Sequence, residues 1–470
     1  MASAGQRLNS VLGHLSPESS ESRGRARLLQ KNADDIVITY AARTPLTKAK
    51  KGGLKDTPID DLLISLLTTV REQSNVDPSL IEDICMGNVL APAQGYIIRA
   101  AVLAAGYPVT AAASVANRFC SSGLLAIQQI SNQIISGSID IGLAVGAESM
   151  STCPDGGFPD WASTKITGHE IAGQNVMPMG QTSENVAGDF GISREQMDRF
   201  AAHSFQKAEK AQREGWTRDE IVPVTASFTD PTTGTTSEKI VSADDGVRAG
   251  TTAASLGKIR AAFPQWSPSH TTGGNASQIT DGAAAVLLMK RSRAHQLGLR
   301  ILGKYVQATV VGLAPRIMGI GPAYAIPKVL AQVGLAKDDV DVFEINEAFA
   351  SMVSRDSLGG KTGSLMCAGC VLCGETRPGP GESQPERRRH VSADPLPPSP
   401  GHLESARAAG RLLTVISALG HPLGCTGTRQ VVTALSELRR QDRRIAVTSM
   451  CVGTVRAISP GPSCFDREQR

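Results

Sequence analysis

Aromatic residues make up only 4% of this 470-residue chain, against 47 glycines. A chain so poor in rings and so rich in small residues suits an α/β enzyme with tight turns. Charge of one sign is also scarce. A formal net charge of +4 is too small to indicate a nucleic-acid partner. No apolar run approaches the roughly 18 residues of a membrane span. Nine cysteines over this length do not form a disulfide framework, so a reducing compartment is expected. The first residues lack the apolar centre of a secretory signal. What remains is a chain that is 41% hydrophobic and long enough for two or three domains around a large core.

The chain alternates strand and helix patterns. Asp34 to Thr44 reads as a strand, and Thr57 is expected to cap a helix with Pro58 at its first position and Ile59, Leu62, Leu63, Leu66 and Leu67 on one face. Glu82 to Leu90 is a second strand, Tyr96 to Gly106 a second helix, Ala113 to Phe119 a third strand and Ile139 to Ser149 a fourth. This alternation predicts a mainly parallel, covered sheet. From Met150 to Ser277 the pattern loosens into polar helices and Gly/Thr-rich loops, an excursion suited to a binding surface. Asp281 to Arg291 returns to a buried strand; a strand at Lys304 to Leu313, a helix at Ala323 to Leu335, a strand turning into a helix at Asp339 to Ala350, a helix from Gly424 and a strand at Arg444 to Gly453 then repeat the order of the first half. Two similar halves can build one site at their junction.

The stretch "NRFCSSGLLAIQQI" places Cys120 between an apolar strand and a helix marked by Leu124, Leu125, Ile127, Ile130, Ile134 and Ile135. A helix N-terminus favours negative charge. Lowering a thiol pKa of about 8.5 by about 1.5 units takes roughly 2 kcal/mol, which the terminus and a neighbouring imidazolium could supply. The other reading is a buried cysteine acting as a small hydrophobe. Three further residues sit at expected strand ends or before a helix, where sites assemble in α/β sheets: Asn346, His421 and Cys451. Singly, each could be a cap or a core residue.

Together "NRFCSSGLLAI", "ESMS", "PMGQTSENVA", "GGNASQITDGAAAVLL", "IMGIGPAYAIP", "FEINEAFA", "GHPLGCTGTRQ" and "SMCVG" resemble the 3-ketoacyl-CoA thiolases of peroxisomal fatty-acid β-oxidation. The resemblance runs over most of Asp34 to Thr454. It implies an α/β thiolase fold of two duplicated βαβαβαββ halves with a loop domain. The halves would be 35–149 with 280–297, and 298–470, with the loop domain at 150–279. It implies cleavage of 3-oxoacyl-CoA by CoA, with CoA a substrate and no metal or other cofactor, in a homodimer. Cys120 would be the nucleophile, His421 its base, and Asn346 would fix a water in one oxyanion hole. The backbone N–H groups of Cys120 and Gly453 would form a second hole, and Cys451 would be the acid/base. Ser277 would contact the pantetheine arm. Met179, in a Pro-Met-Gly where short-chain relatives read His-Met-Gly, would contact substrate and favour longer acyl chains. Relatives that condense on a carrier protein use His-His or His-Asn partners rather than a second cysteine.

Arg7, Leu8, His14 and Leu15 have the spacing of an N-terminal peroxisomal targeting signal, so 1–34 is expected to be a targeting extension read by the import receptor, with the peroxisomal matrix as destination. Two stretches depart from the family. Residues 352–416 are far longer than in relatives and rich in Gly and Pro from Gly374 to Gly401, which predicts an irregular, disordered insertion, read as translated intron or a mispredicted exon. Cys367, Cys370 and Cys373 within it have a C-x2-C-x2-C spacing without a fourth ligand, so metal binding is not expected. After Thr454, Pro460 and Pro462 replace the family's final strand. The alternative function is therefore a catalytically impaired thiolase-like protein or a faulty gene model.

Overall fold

The computed structural model describes residues 24–155, 162–230, 232–352, 368–374, 412–413 and 416–451. Among the described residues, ten main strands carry the architecture: β1 (Ile36–Arg43), β2 (Asp83–Gly87), β3 (Ala112–Ala116), β4 (Ile141–Ser149), β5 (Thr280–Lys290), β6 (Gly303–Thr309), β7 (Val342–Ile345), β8 (Ala368–Gly374), β9 (Leu412–Leu413) and β10 (Ile445–Met450). The helices that position the site are α1 (Ile59–Gln73), α2 (Gln94–Ala104), α3 (Ser122–Ser136), α4 (Met179–Asp189), α5 (Arg194–Arg213), α6 (Pro322–Val333) and α7 (Leu423–Arg440).

The strands follow one path, β9-β7-β10-β8-β6-β1-β5-β4-β2-β3. Its two ends are built alike. β1–β5 and β5–β4 are antiparallel, while β4–β2 and β2–β3 are parallel. β6–β8 and β8–β10 are likewise antiparallel, and β10–β7 and β7–β9 parallel. β1 and β6 join the halves in antiparallel fashion. The expectation of a mainly parallel sheet is thus corrected: only the outer three strands of each half are parallel.

Strand side chains alternate between faces, and that alternation sorts the core into layers. Ile36, Ile38, Ala284, Val286 and Leu288 face a cluster shared with Leu124, Ile127 and Ile130 of α3 and Val431, Val432 and Leu435 of α7. Val37, Ala283, Ala285 and Leu287 face the opposite way, onto Leu62, Leu66 and Ile98 of α1 and α2. In the second half, Ala446 joins the α3–α7 cluster, while Phe343, Ile345 and Val447 pack on Ile326, Val329 and Leu330 of α6. Helices therefore lie outside each half-sheet, with α3 and α7 sandwiched between.

Several local expectations change. The strand read to Phe119 stops at Ala116, because Asn117–Phe119 turn sharply. Thr57 does not cap α1: Pro58 occupies the N-cap without a side-chain bond, and the Thr57 hydroxyl has no partner. Among the described residues directly after β7, up to Met352, there is no α-helix, only a short 3-10 turn at Ala350–Met352. Residues 24–29 are helical rather than a free polar extension, and Leu28 packs in the α6 cluster. The insertion expected at 352–416 is not irregular throughout. Ala368–Gly374 form β8, paired on both edges, and Leu412–Leu413 pair with β7. An apolar run such as "AGCVLCG" can serve as a central strand, and β8 fills the slot that β5 fills in the first half.

Candidate active site

Cys120 lies at the turn between β3 and α3, and only 1% of it is exposed. Phe119 before it adopts φ +47°, the left-handed region that a non-glycine residue seldom occupies. Local bonds hold this turn. The Phe119 N–H donates to Asn117 Oδ1 at 3.0 Å, the Arg118 N–H donates to Ser122 Oγ at 2.9 Å, and Ser122 Oγ donates to the Phe119 carbonyl at 2.6 Å. The chain then enters α3 with Cys120 beside the helix N-terminus. Gly137 closes α3 in the left-handed conformation, at φ +74°.

His421 occupies the equivalent place in the second half, just before α7. Gly420 precedes it at φ +99°, and a Cβ there would lie 1.9 Å from Thr280 Oγ1, so both backbone angle and space require glycine. The His421 N–H donates to the Gln278 carbonyl at 2.9 Å, tying the turn to the strand entering β5. The imidazole is buried. Its Nδ1 is 2.6 Å from Thr426 Oγ1, and its Nε2 is 3.3 Å from Asn346 Nδ2. The starts of α3 and α7 touch backbone to backbone. A Cβ on Gly427 would lie 2.4 Å from Leu124 N, and one on Gly123 would lie 2.6 Å from Thr428 N. Small residues after Cys120 and His421 are thus what lets the two helix ends meet.

Asn346 follows β7, and its N–H donates to the Ser449 carbonyl at 2.8 Å, which places it beside β10. Cys451 ends β10, also 1% exposed, and packs with Met179, Met318 and Ala348. Met179 opens α4, so the loop region reaches the site through a residue singled out in the sequence. The Ser277 N–H donates to the Ala348 carbonyl at 2.9 Å, next to the same cluster. Five sequence candidates (Asn346, His421, Cys451, Met179 and Ser277) are thereby linked by hydrogen bonds or packing to one neighbourhood. Cys120 joins it electrostatically, since charge on Cys451 opposes ionisation of Cys120. Gly453 lies outside the described residues, as do Cys367 and the targeting residues Arg7, Leu8, His14 and Leu15. Cys370 and Cys373 fall within β8.

Of the two readings of Cys120, the one in which the helix terminus and an imidazolium lower its pKa is not met in the resting site. Burial raises the Cys120 pKa well above that of a free thiol, and burial pushes Cys451 up to about 12. Burial, with Arg429 nearby, lowers His421 to about 3. At neutral pH the resting site therefore holds two thiols and a neutral imidazole. The helix-end field is outweighed by desolvation.

Two residues escaped the sequence reading. Glu148, at the end of β4, is fully buried and accepts four N–H groups: Val89 and Gly424 backbone on Oε2, at 3.0 and 2.9 Å, and Leu90 backbone and Asn88 Nδ2 on Oε1, at 3.1 and 3.0 Å. Burial raises its pKa to about 7 against those bonds. It ties the loop after β2 to the first turn of α7. The motif "ESMS" was the available signal, since an acidic residue ending an apolar strand needs partners. Thr426 was hidden inside the glycine-rich turn.

The chain matches the family model described as "Thiolase, N-terminal domain" over residues 36–292 and that described as "Thiolase, C-terminal domain" over 299–359 and 415–460. The stretch outside the second match contains β8. The chain is similar to "3-ketoacyl-CoA thiolase A, peroxisomal" of Rattus norvegicus, 44% identical over 460 residues, or 96% of this chain and 95% of the relative. It is also 44% identical to "3-ketoacyl-CoA thiolase, peroxisomal" of Homo sapiens, over 96% of this chain and 97% of that protein. Among solved structures, the dimeric peroxisomal thiolase of Saccharomyces cerevisiae is similar with a TM-score of 0.75 and 41% identity, covering 92% of this chain and 97% of that one. An acetyl-CoA acetyltransferase of Bacillus anthracis is similar with a TM-score of 0.70 at 29% identity, covering 90% and 97%.

Proposed function

Because the chain belongs to the thiolase family, we propose that it cleaves 3-oxoacyl-CoA with CoA, giving acetyl-CoA and an acyl-CoA two carbons shorter, in peroxisomal fatty-acid β-oxidation. The observation that carries this reading is the meeting of α3 and α7, which brings Cys120 and a His421 bonded to Asn346 to the junction of the two halves that also holds Cys451.

In the first half-reaction Cys120 Sγ attacks the 3-keto carbon and its proton passes to His421 Nε2. The Cys120 N–H donates to the developing oxyanion, in the hole that Gly453 would complete. The bond between C2 and C3 breaks, the electron pair leaves as the acetyl-CoA enolate, and Cys451 protonates that carbon. In the second, the Cys451 thiolate takes the proton of incoming CoA. The CoA sulfur attacks the acyl thioester, and Cys120 leaves and recovers its proton from His421. Asn346 holds a water on the thioester oxygen alongside His421. A second thiol suits this exchange because the proton passes between groups of the same kind, whose intrinsic acidities are alike before burial. No step calls for a metal or a redox cofactor. Raised thiol pKa values fit a mechanism in which ionisation is coupled to substrate arrival. Met179 and Ser277 would contact the acyl chain and the pantetheine arm.

The dimeric state of the yeast relative suggests a homodimer. β3 ends the strand path, and Tyr96 and Val109 in the segments leading to it are 84% and 78% exposed, which supports a second copy docking there. Import would use Arg7, Leu8, His14 and Leu15. No helix among the described residues is long and apolar enough to cross a membrane.

The test is thiolysis of a 3-oxoacyl-CoA followed by absorbance, with mass spectrometry of protein mixed with substrate but no CoA. Acyl mass should appear on the Cys120 peptide, and Cys120→Ser should lose about 10⁴-fold or more in rate. Well-folded protein that neither turns over nor acylates would sink the proposal and favour an impaired thiolase-like chain.

A further inference from the structure

We propose that Thr426 is a positioning residue that fixes His421 as the Nδ1–H tautomer and so puts the proton-accepting lone pair on Nε2. The inference deepens the reading of His421 as base and rests on it for its kinetic arm.

A neutral imidazole has one donor and one acceptor nitrogen. The Asn346 amide faces Nε2 at 3.3 Å, but an amide can present either its nitrogen or its oxygen, so it cannot select the tautomer alone. Thr426 can. Its Oγ1 lies 2.6 Å from His421 Nδ1 and 2.8 Å from the Pro422 carbonyl. A hydroxyl has a single proton, and a carbonyl oxygen only accepts. If that proton pointed at Nδ1, two sets of lone pairs would face each other between Oγ1 and the Pro422 oxygen. The Pro422 carbonyl also accepts the Cys425 and Thr426 N–H groups, at 3.0 and 2.9 Å, so it does not need the hydroxyl; but the 2.8 Å approach of Oγ1 to that oxygen is attractive only when Oγ1–H donates to Pro422 and Nδ1–H donates to Oγ1. Nε2 then carries the lone pair, and Asn346 presents its Nδ2–H to it.

Both partners are buried, at 5% exposure for His421 and 0% for Thr426, so water does not compete for these positions. The geometry is local to one helical turn, since Pro422 is the N-cap of α7 and Thr426 lies in its first turn. The same backbone that packs against Gly123 and Leu124 therefore sets the proton on the imidazole. A neutral hydroxyl, unlike a carboxylate, orients the ring without stabilising an imidazolium. That agrees with the low basicity of His421, and proton return to the leaving Cys120 sulfur is correspondingly favoured.

The test uses the full-length protein. In ¹⁵N-histidine-labelled wild type, His421, assigned by its loss in His421→Asn, should show a protonated Nδ1 and an unprotonated Nε2. The opposite tautomer overturns the proposal whether or not the protein turns over. Thr426→Val keeps the shape and removes the acceptor; it should lose about 30- to 100-fold in kcat with KM within about threefold and should change the His421 nitrogen shifts. Thr426→Ser should restore both to within about threefold of wild type. A valine variant with full kcat, or with unchanged nitrogen shifts, overturns the proposal. If the valine variant does not fold, the wild-type tautomer and the serine variant still decide. If wild type has the expected tautomer but performs no thiolysis, the functional reading fails while the positioning inference stands.

Discussion

At the scale of single residues, burial governs the site more than any partner does. His421 is held neutral because desolvation, aided by Arg429, lowers its pKa to about 3. A folded-state pKa below that of the unfolded chain gives stability that is present above about pH 6.5 and lost as the pH falls towards the folded value. Acidification from pH 7 to pH 5 should therefore cost the wild type about 2 kcal/mol through this one residue. Glu148 and Asp281, raised by burial to about 7 and about 6, act in the opposite direction. The comparison should therefore be made against His421→Asn, which retains both acids. Urea midpoints at the two pH values should show a smaller acid loss in the variant. Equal losses would mean that the imidazole takes up its proton in the fold as readily as in the unfolded chain.

At the scale of elements, the second half-sheet depends on a strand from a stretch outside the family match. β8 pairs with β10 along one edge and β6 along the other, and Val371 stands opposite Val447 and Gln307. Val371→Pro removes a ladder donor and should cost about 2–3 kcal/mol, read from the urea midpoint. An unchanged midpoint would show that Ala368–Gly374 do not hold β10 in place. The sequence made the long elements plain, because α3 and α7 carry apolar stripes at helical spacing and β4 and β5 are continuous apolar runs. β8 was not legible: the surrounding Gly and Pro outweighed seven residues of apolar pattern, and nothing local says that a strand belongs beside β10. The antiparallel centre was hidden for a similar reason, since strand direction is set by how β1 and β6 meet and not by either strand's own residues.

At the scale of the whole molecule, the loop region is joined to the core through a buried charge network. Arg43 at the end of β1 is fully buried and meets Glu220 at 2.8 Å and Asp244 at 2.7 Å. Glu220 also accepts from Thr433 Oγ1 of α7 at 3.3 Å. Arg43→Ala leaves two carboxylates in a dry setting and should lower stability by about 3–5 kcal/mol, measured by chemical denaturation. A loss below about 1 kcal/mol would show that water reaches the network. Cys120, Asn346, His421 and Cys451 were legible because each ends a strand or opens a helix in a motif, whereas Glu148 and Thr426 act through bonds that cross between segments far apart or fold back within one turn. One property of this junction extends beyond turnover. Oxidants attack thiolate far more readily than thiol, so the site waiting for substrate, with Cys120 and Cys451 held as buried thiols, reacts slowly with peroxide. Its vulnerable interval is confined to the moments when a sulfur is ionised within an occupied site.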